Sequence, residues 1–453
     1  MPKKNKSELS NISQCIIVSN KSGGDDSGLA DNSFDITPFI MSFSYMENIM
    51  TNSIEAEIIY AEPRANPKAN RFNGGKPGTL SEILPIVGTE LVTFKVQDDW
   101  GNKLGGPEGI KMYVRTPEPS YDDTQKSMSV LHLTSKESII NKSIVISETI
   151  EGDISGWVEK ILTDTKYLGS EKNVETEPTS EGKDFPSYVC TNKTPFTAID
   201  KLSPLTISDK GKSGYILFET SKGFNFKSID WLFDKEENQP KVNIFFSNSV
   251  TRDEYPPRYD TKALTYNKIS NVDAISKQRM GTYNNRTILF DPFTCFYEVK
   301  YKNNDEIDKN MGGNESPVFN PEFGDREFTR TLYYLVNRGT LPKGPTNQQL
   351  ESSKERDIHL IDTRTESMMR YNQIFSSRCS VIIKGNYSLN VGDSVFLDVP
   401  GSVGKTEEVN RQDSGLYIIS DLTHTISLEG TTTQLNLTRD SVGRKGQPEG
   451  EVY

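Results

Sequence analysis

Apolar and polar residues alternate with a period of two along much of the chain, which predicts a protein built mainly of strands. Residues 39–46 and 53–60 read as two strands around a turn-like stretch at 47–52, and Glu55, Ala56, Glu57 and Ile58 alternate as a half-solvated strand does. A loop rich in Pro, Gly and Asn follows at 62–78. Residues 86–96 then form a strand after Leu84-Pro85, with Gly88 as a bulge, and 111–115 and 129–134 continue the pattern. Short strands joined by long polar loops suggest an antiparallel barrel or sandwich up to about residue 118.

The period then changes. Ile154, Trp157, Val158, Ile161 and Leu162 mark one stripe of an amphipathic helix, with Asp153 or Ser155 as its N-cap. A polar linker covers 163–187. Thr194-Pro195 opens a second short helix through Phe196, Ile199 and Leu202, and 215–218 with 224–226 read as a hairpin around Ser221-Lys222-Gly223. Strand chemistry returns at 286–301, followed by an acidic, Asn- and Pro-rich loop at 303–323 and helical candidates at 330–337 and 359–374. Dense strand signals close the chain at 380–384, 394–399, 415–420, 424–428 and 431–437. No fixed-period repeat of the solenoid kind is present.

The 453 residues allow roughly three domains at about 150 residues each. Apolar runs such as 416–419 are far shorter than the roughly 20 residues that span a bilayer. Lys3, Lys4 and Lys6 are followed by Ser7, Glu8 and Ser10 rather than an apolar run, so no secretion signal is expected. The net charge of −11 suits solubility, or a surface along which DNA must not stick, better than it suits gripping nucleic acid. Cys15, Cys190, Cys295 and Cys379 lie far apart without a CxxC pair, which predicts free buried thiols in a reducing compartment.

No catalytic, cofactor or metal residues are assigned. Gly401-Ser402-Val403-Gly404-Lys405-Thr406 imitates the end of a phosphate-binding loop, but Val399 stands where its first glycine is needed. Gly211-Lys212-Ser213 fails likewise. His132, His359 and His424 are widely spaced, and no G-x-S-x-G elbow marks a nucleophile. Asp305 with Asp308, and Glu407 with Glu408, are the acidic pairs of a glycosidase only by arithmetic, since 63 carboxylates make such pairs inevitable. Trp157 and Trp231 sit in apolar surroundings and read as core.

Three groups of residues together resemble the central baseplate hub proteins of contractile-tailed bacteriophages and the related secretion-system spike hubs. The first is the strand entry Leu84-Pro85-Ile86-Val87-Gly88-Thr89-Glu90-Leu91. The second joins Thr194-Pro195-Phe196-Thr197-Ala198-Ile199 to the aromatic hairpin Tyr215-Ile216-Leu217-Phe218-Glu219 and Gly223-Phe224-Asn225-Phe226. The third runs from Gly385-Asn386 and Leu389-Asn390-Val391-Gly392-Asp393 through 414–419 and His424-Thr425 to 431–437 and Arg439-Asp440.

This resemblance implies a mainly β chain with α+β parts: two tube-like antiparallel β-barrels and a middle α/β region. The expected division is a tail at 1–10, a first barrel at 11–118, and a middle domain at 119–285. A discontinuous second barrel follows at 286–303 and 378–443, with a helical insertion at 304–377 and a tail at 444–453. It further implies a non-enzymatic homotrimeric ring in the virion tail baseplate, assembled in the host cytoplasm. Tail tube and spike proteins are the implied partners, with baseplate wedge and tape-measure proteins as further candidates, DNA passing through the channel unbound and no membrane span. The rival readings are a tail-associated carbohydrate-binding or cell-wall hydrolase protein, the hub of a non-viral contractile injection particle, and a β-rich surface adhesin.

Overall fold

The computed structural model describes residues 11–20, 33–63, 86–121, 126–180, 188–247, 258–270, 273–292, 295–304, 309–314, 328–335, 345–401, 409–427 and 430–446. The expected tail at 1–10, the Leu84-Pro85 dipeptide, Gly404-Lys405-Thr406 and the acidic pairs Asp305/Asp308 and Glu407/Glu408 lie outside them. Strands predominate and helices are fewer, as the alternation predicts.

The first unit contains β1 (Ile12–Val18), β2 (Ser33–Asp35), β3 (Ile40–Asn48), β4 (Glu55–Pro63), β5 (Leu91–Val96), β6 (Ile110–Tyr121) and β7 (Lys126–Thr134). The segment 33–48 changes neighbours midway: β2 pairs with β1, and after a turn of 3-10 helix at Thr37–Phe39 β3 pairs with β4. Since β1 also pairs with β5, the ladder β1–β5–β6–β7–β4–β3 returns to its start through that segment. Alternate residues point inward, so Phe43, Tyr45, Ile58, Phe94 and Met112 fill one core. The expected boundary at 118 falls inside β6, and β7, expected beyond it, pairs between β4 and β6.

A middle α+β unit follows. It holds α1 (Lys136–Ile140), β8 (Ile146–Ile150), α2 (Ile154–Thr163), β9 (Asn173–Thr176), β10 (Tyr188–Lys193), α3 (Pro195–Leu202), β11 (Tyr215–Thr220), β12 (Gly223–Ser228) and α4 (Ile229–Phe233). The carboxylate of Asp153 accepts from the Ser155 and Gly156 amides at the start of α2, satisfying donors that a helix leaves open. The apolar stripe of α2 packs with α3 and the β11–β12 hairpin around Ile161, Leu202 and Phe226. Trp157 and Trp231 are only partly buried, each with a lysine over its ring, Lys160 at 4.2 Å and Lys227 at 3.8 Å.

The second β unit opens with β13 (Asn243–Phe245), β14 (Thr261–Lys262) and β15 (Thr265–Ser270). An inserted layer follows: α5 (Ala274–Arg279), β16 (Asn284–Asp291), β17 (Phe296–Asn303), β18 (Arg330–Leu335) and α6 (Thr346–Gln373). The unit resumes with β19 (Ser377–Lys384), β20 (Ser394–Asp398), β21 (Gly415–Ser427) and β22 (Gly430–Arg439). Here the segment 261–270 changes neighbours: β14 pairs with β13, and β15 pairs with β19. The adjoining amides confirm the switch, Ala263 bonding to Phe245 and Leu264 to Ile382. The ladder β13–β20–β21–β22–β19–β15 therefore also returns to its start.

The two rings share one strand order. With the strands of each lettered a to f along the chain, and the switching segment counted as b, both run a-b-c-f-e-d around the ring. They differ in strand a, which is antiparallel to its neighbours in the first ring and parallel to them in the second. The rings also form one continuous sheet, because β21 pairs with β20 through its first half and with β3 through its second.

Three expectations are corrected. Residues 286–303 do not pair with the strands of 378–443. They form a hairpin in a separate three-stranded sheet with β18, and 261–270 occupies the place in the ring. In the helical candidate at 330–337 the described residues, 330–335, are strand β18, because its parallel partner β16 supplies a ladder that local sequence cannot reveal. The tail expected from 444 is anchored at its start, where the Arg444 guanidinium makes bonds of 2.9 and 2.8 Å to Asp398.

Candidate assembly interfaces

The chemically suggestive residues do not converge. His132 lies on β7 with Glu57 and Glu118 each 3.5 Å away, His359 lies on α6, and His424 is buried in β21. Burial pushes the His424 imidazole down to about 3, so it is neutral, donating or accepting with Thr433 at 2.9 Å between the rings of Tyr45 and Tyr387. Gly211-Lys212-Ser213 is a tight turn closed by an Ile207–Ser213 bridge. Cys15, Cys190 and Cys379 are buried free thiols; Cys295, expected among them, is exposed at the β16–β17 turn, where no core reaches it. Among the described residues no group of His, Cys, Asp and Glu is placed to hold a metal, and no helix is long and apolar enough to cross a membrane.

Polar chemistry is instead concentrated where units meet. Glu47, on the inward row of β3 with Phe43 and Tyr45, is 2% exposed. Its carboxylate accepts from Tyr45 Oη at 2.8 Å, the Ser221 amide at 2.6 Å, the Val391 amide at 2.9 Å and Asn390 Nδ2 at 3.3 Å. One side chain thus ties the first ring to the tip of the middle hairpin and to a turn of the second ring. Burial pushes the Glu47 carboxyl up to about 7, although the four donors pull it down.

A second carboxylate, Glu219, accepts from the Ile54 amide at 3.1 Å and pairs with Lys172, which also reaches Glu137 at 2.7 Å. Burial works against the Lys172 ammonium, but Glu219 and Glu137 outweigh it and hold the group above its ordinary value.

The third junction is Arg370, fully buried on α6. Its guanidinium reaches Asp440 at 2.9 Å, Asp230 at 3.1 Å, Gln373 at 2.9 Å and the Asn310 carbonyl at 3.1 Å. It joins the inserted layer to α4 and to the end of β22. Neighbouring Arg439 donates to the carbonyls of Gln412, Ser414, Ser441 and Gly443, so the quoted Arg439-Asp440 pair closes the second ring rather than meeting a ligand.

The Asn390-Val391-Gly392-Asp393 turn explains its own glycine. Gly392 has φ +85°, and a Cβ there would stand 2.6 Å from the Phe218 ring. Gly392→Ala is expected to cost about 1–3 kcal/mol through overpacking and backbone strain, measured by denaturant unfolding; an unchanged midpoint would show that the ring moves aside freely.

One surface feature has no such internal role. The sheet β17–β16–β18 lays one face on α6, where Thr287 meets Thr365 and Lys302 meets Glu366. Its opposite face carries two apolar rows in register, Tyr297–Phe290–Leu335 and Val299–Ile288–Tyr333. Tyr297 is 68%, Tyr333 79% and Leu335 64% exposed. A contiguous aromatic face of this kind marks an interaction surface more than an isolated exposed side chain does. Sequence alternation hid it, because β18 is apolar on both faces.

No protein-family model matches the sequence, and no curated protein matches it. Solved structures do. The tail protein from Neisseria meningitidis MC58 is 8% identical with a TM-score of 0.51, covering 94% of this chain and 96% of that chain. The 43 kDa tail protein of prophage MuSo2 from Shewanella oneidensis is 11% identical, with a TM-score of 0.49 over 94% of this chain and 98% of that one. The E. coli c3393 protein, a component of the type VI secretion system, is 7% identical, with a TM-score of 0.44 over 91% and 77%. Over nearly its whole length, this chain has the fold of a tail protein, as its sequence motifs lead one to expect.

Proposed function

We propose that the chain is a non-enzymatic hub of a phage tail baseplate. Three copies form a ring between a sixfold tail tube and a threefold spike, leaving a channel through which DNA passes unbound. The observation that carries this reading is the duplicated ring: two six-stranded units of the same strand order in one chain. Three chains then present six similar units, so a threefold assembly can meet a sixfold one without breaking either symmetry. The net charge of −11 supports a channel that repels a passing polyanion. The exposed aromatic face of β16–β18 supports burial against an assembly partner such as tube, spike or wedge protein.

Light scattering of the purified chain tests the stoichiometry. The expected mass is three times 50.9 kDa, about 153 kDa, with open-centred threefold rings in negative stain. A stable pair or hexamer would contradict it. Tyr333→Ser with Leu335→Ser should leave the unfolding free energy within about 0.5 kcal/mol, since both residues are exposed. The same variant is expected to lose tail assembly in complementation; full assembly would remove the aromatic face from the account.

A further inference from the structure

The contact between the two rings inside one chain has counterparts elsewhere in the chain that are left open among the described strands. Within the chain, strand e of the second ring, β21, bulges between Ile419 and Asp421 and then pairs with strand b of the first ring, Asp421 opposite Asn48 through Ile426 opposite Phe43. Strand e of the first ring, β6, carries a bulge at the same place. Tyr113 pairs with Leu91 as Ile418 pairs with Ser394, and the register shift lies between Val114 and Thr116. Residues 116–121 are thus the counterparts of 421–426. Yet they pair only with β7 among the described strands.

The missing partner has a counterpart too. Strand b of the second ring, β15, pairs only with β19 among the described strands, and its residues Thr265, Asn267, Lys268 and Ile269 are exposed. Its equivalent β3 is paired on both edges and buries Phe43, Tyr45 and Glu47, whereas no residue of β15 is buried. We propose that the outer edge of β6 pairs antiparallel with the outer edge of β15 in a second copy, repeating between chains the β21–β3 ladder within one. This inference rests on the ring-shaped assembly proposed above and names its contact.

Two further observations support the pairing. Glu118, with its side chain 63% exposed, lies on β6, whereas β15 carries Lys268, itself paired with Asp413, and Arg378 bonds Ser270 beside it. Opposite charges therefore meet. The prolines also fit. Ser427 and Gly430 close a two-residue hairpin, which makes them a hydrogen-bonded pair and turns the backbone groups of Leu422 and His424 outward, toward β3. Their counterparts in β6 are Pro117 and Pro119, so the outward edge there offers carbonyls without those two amides. Such an edge accepts from β15 but cannot form a full ladder with itself, which favours head-to-tail rings over indiscriminate strand pairing.

The register places Glu118 opposite Ser270, as Thr423 stands opposite Met46. Both are non-hydrogen-bonded positions, where Cα atoms approach to about 4.5 Å and a disulfide fits. In a Cys295→Ser background, Glu118→Cys with Ser270→Cys is expected to give reducible two- and three-chain bands on oxidation, and Glu118→Cys alone to give no three-chain band. Met46→Cys with Thr423→Cys should close within one chain, which checks the geometry. A three-chain mass without linked bands would overturn the β6–β15 contact and leave the trimer reading standing. A monomer at every concentration, without linked bands, would overturn both.

Discussion

Replacing Arg370 by alanine is expected to lower the unfolding free energy by about 3–5 kcal/mol, the loss that follows when one partner of a buried ion pair is removed. The variant strands the carboxylates of Asp230 and Asp440, each 1% exposed in its side chain, without the cation that holds them. Alanine also removes the Arg370 donor from the Asn310 carbonyl and leaves Gln373 Oε1 with only the 3.4 Å bond from Lys309. Because α6, α4 and the end of β22 meet at this one guanidinium, the inserted layer should loosen from the second ring before the first ring unfolds. Denaturant unfolding measures the energy, and amide exchange locates the loosening. Arg370→Lys should recover part of the energy, since it keeps the charge but loses the fork that reaches both carboxylates. A loss below about 1 kcal/mol for alanine would mean that water reaches and satisfies the cluster.

The second large effect belongs to Glu47. Glu47→Ala removes the acceptor of four donors from three units, and buried unsatisfied donors cost about 1–3 kcal/mol each, so about 3 kcal/mol or more should be lost at neutral pH. The pH dependence has a definite sign. Burial raises the folded-state value from 4.5 to about 7, so the folded protein holds this proton more tightly than the unfolded chain does. Its contribution to stability is fully present below about 4.5 and is lost as pH rises through about 7, a swing of about 3 kcal/mol at the limit. Glu47→Gln cannot titrate. The stability difference between wild type and Glu47→Gln should therefore shift in favour of Gln between pH 5 and 8. A difference that stays flat over that interval would place the Glu47 titration elsewhere.

Much of the fold was legible where the signal is local. The Asp153 cap, the Thr194-Pro195 helix start and the hairpin around Ser221-Lys222 all appear as read, since each depends on residues within a turn or two. What escaped depends on distant partners. β13 and β14 are three and two residues long, too short for any alternation, and they become strands only by pairing with β20 and each other. The duplication, implied by the family resemblance, left no repeat in the residues for the same reason: it resides in strand order and not in residue identity.

The buried charges were legible in part. Phe43, Tyr45 and Glu47 share one parity in β3, so the alternation itself placed the glutamate inward. An inward glutamate in a strand is a request for donors, and the turn Asn390-Val391 that answers it lies more than three hundred residues away. Glu90 behaves likewise. It sits at the end of the quoted strand entry, fully buried, and its carboxylate accepts from the Val87 and Gly88 amides, so the expected strand at 86–96 starts as a turn and becomes β5 only from Leu91. Arg370 left no such trace, because α6 is polar around much of its circumference.

A cryo-electron microscopy reconstruction of the tail end of the particle tests most directly the place of this chain in an assembled tail. The expected density is a ring of three copies presenting six six-stranded barrels, stacked between the last ring of the tube and the spike, with an open channel at its centre. Density for the chain away from that junction, or present there in one or six copies, would contradict it.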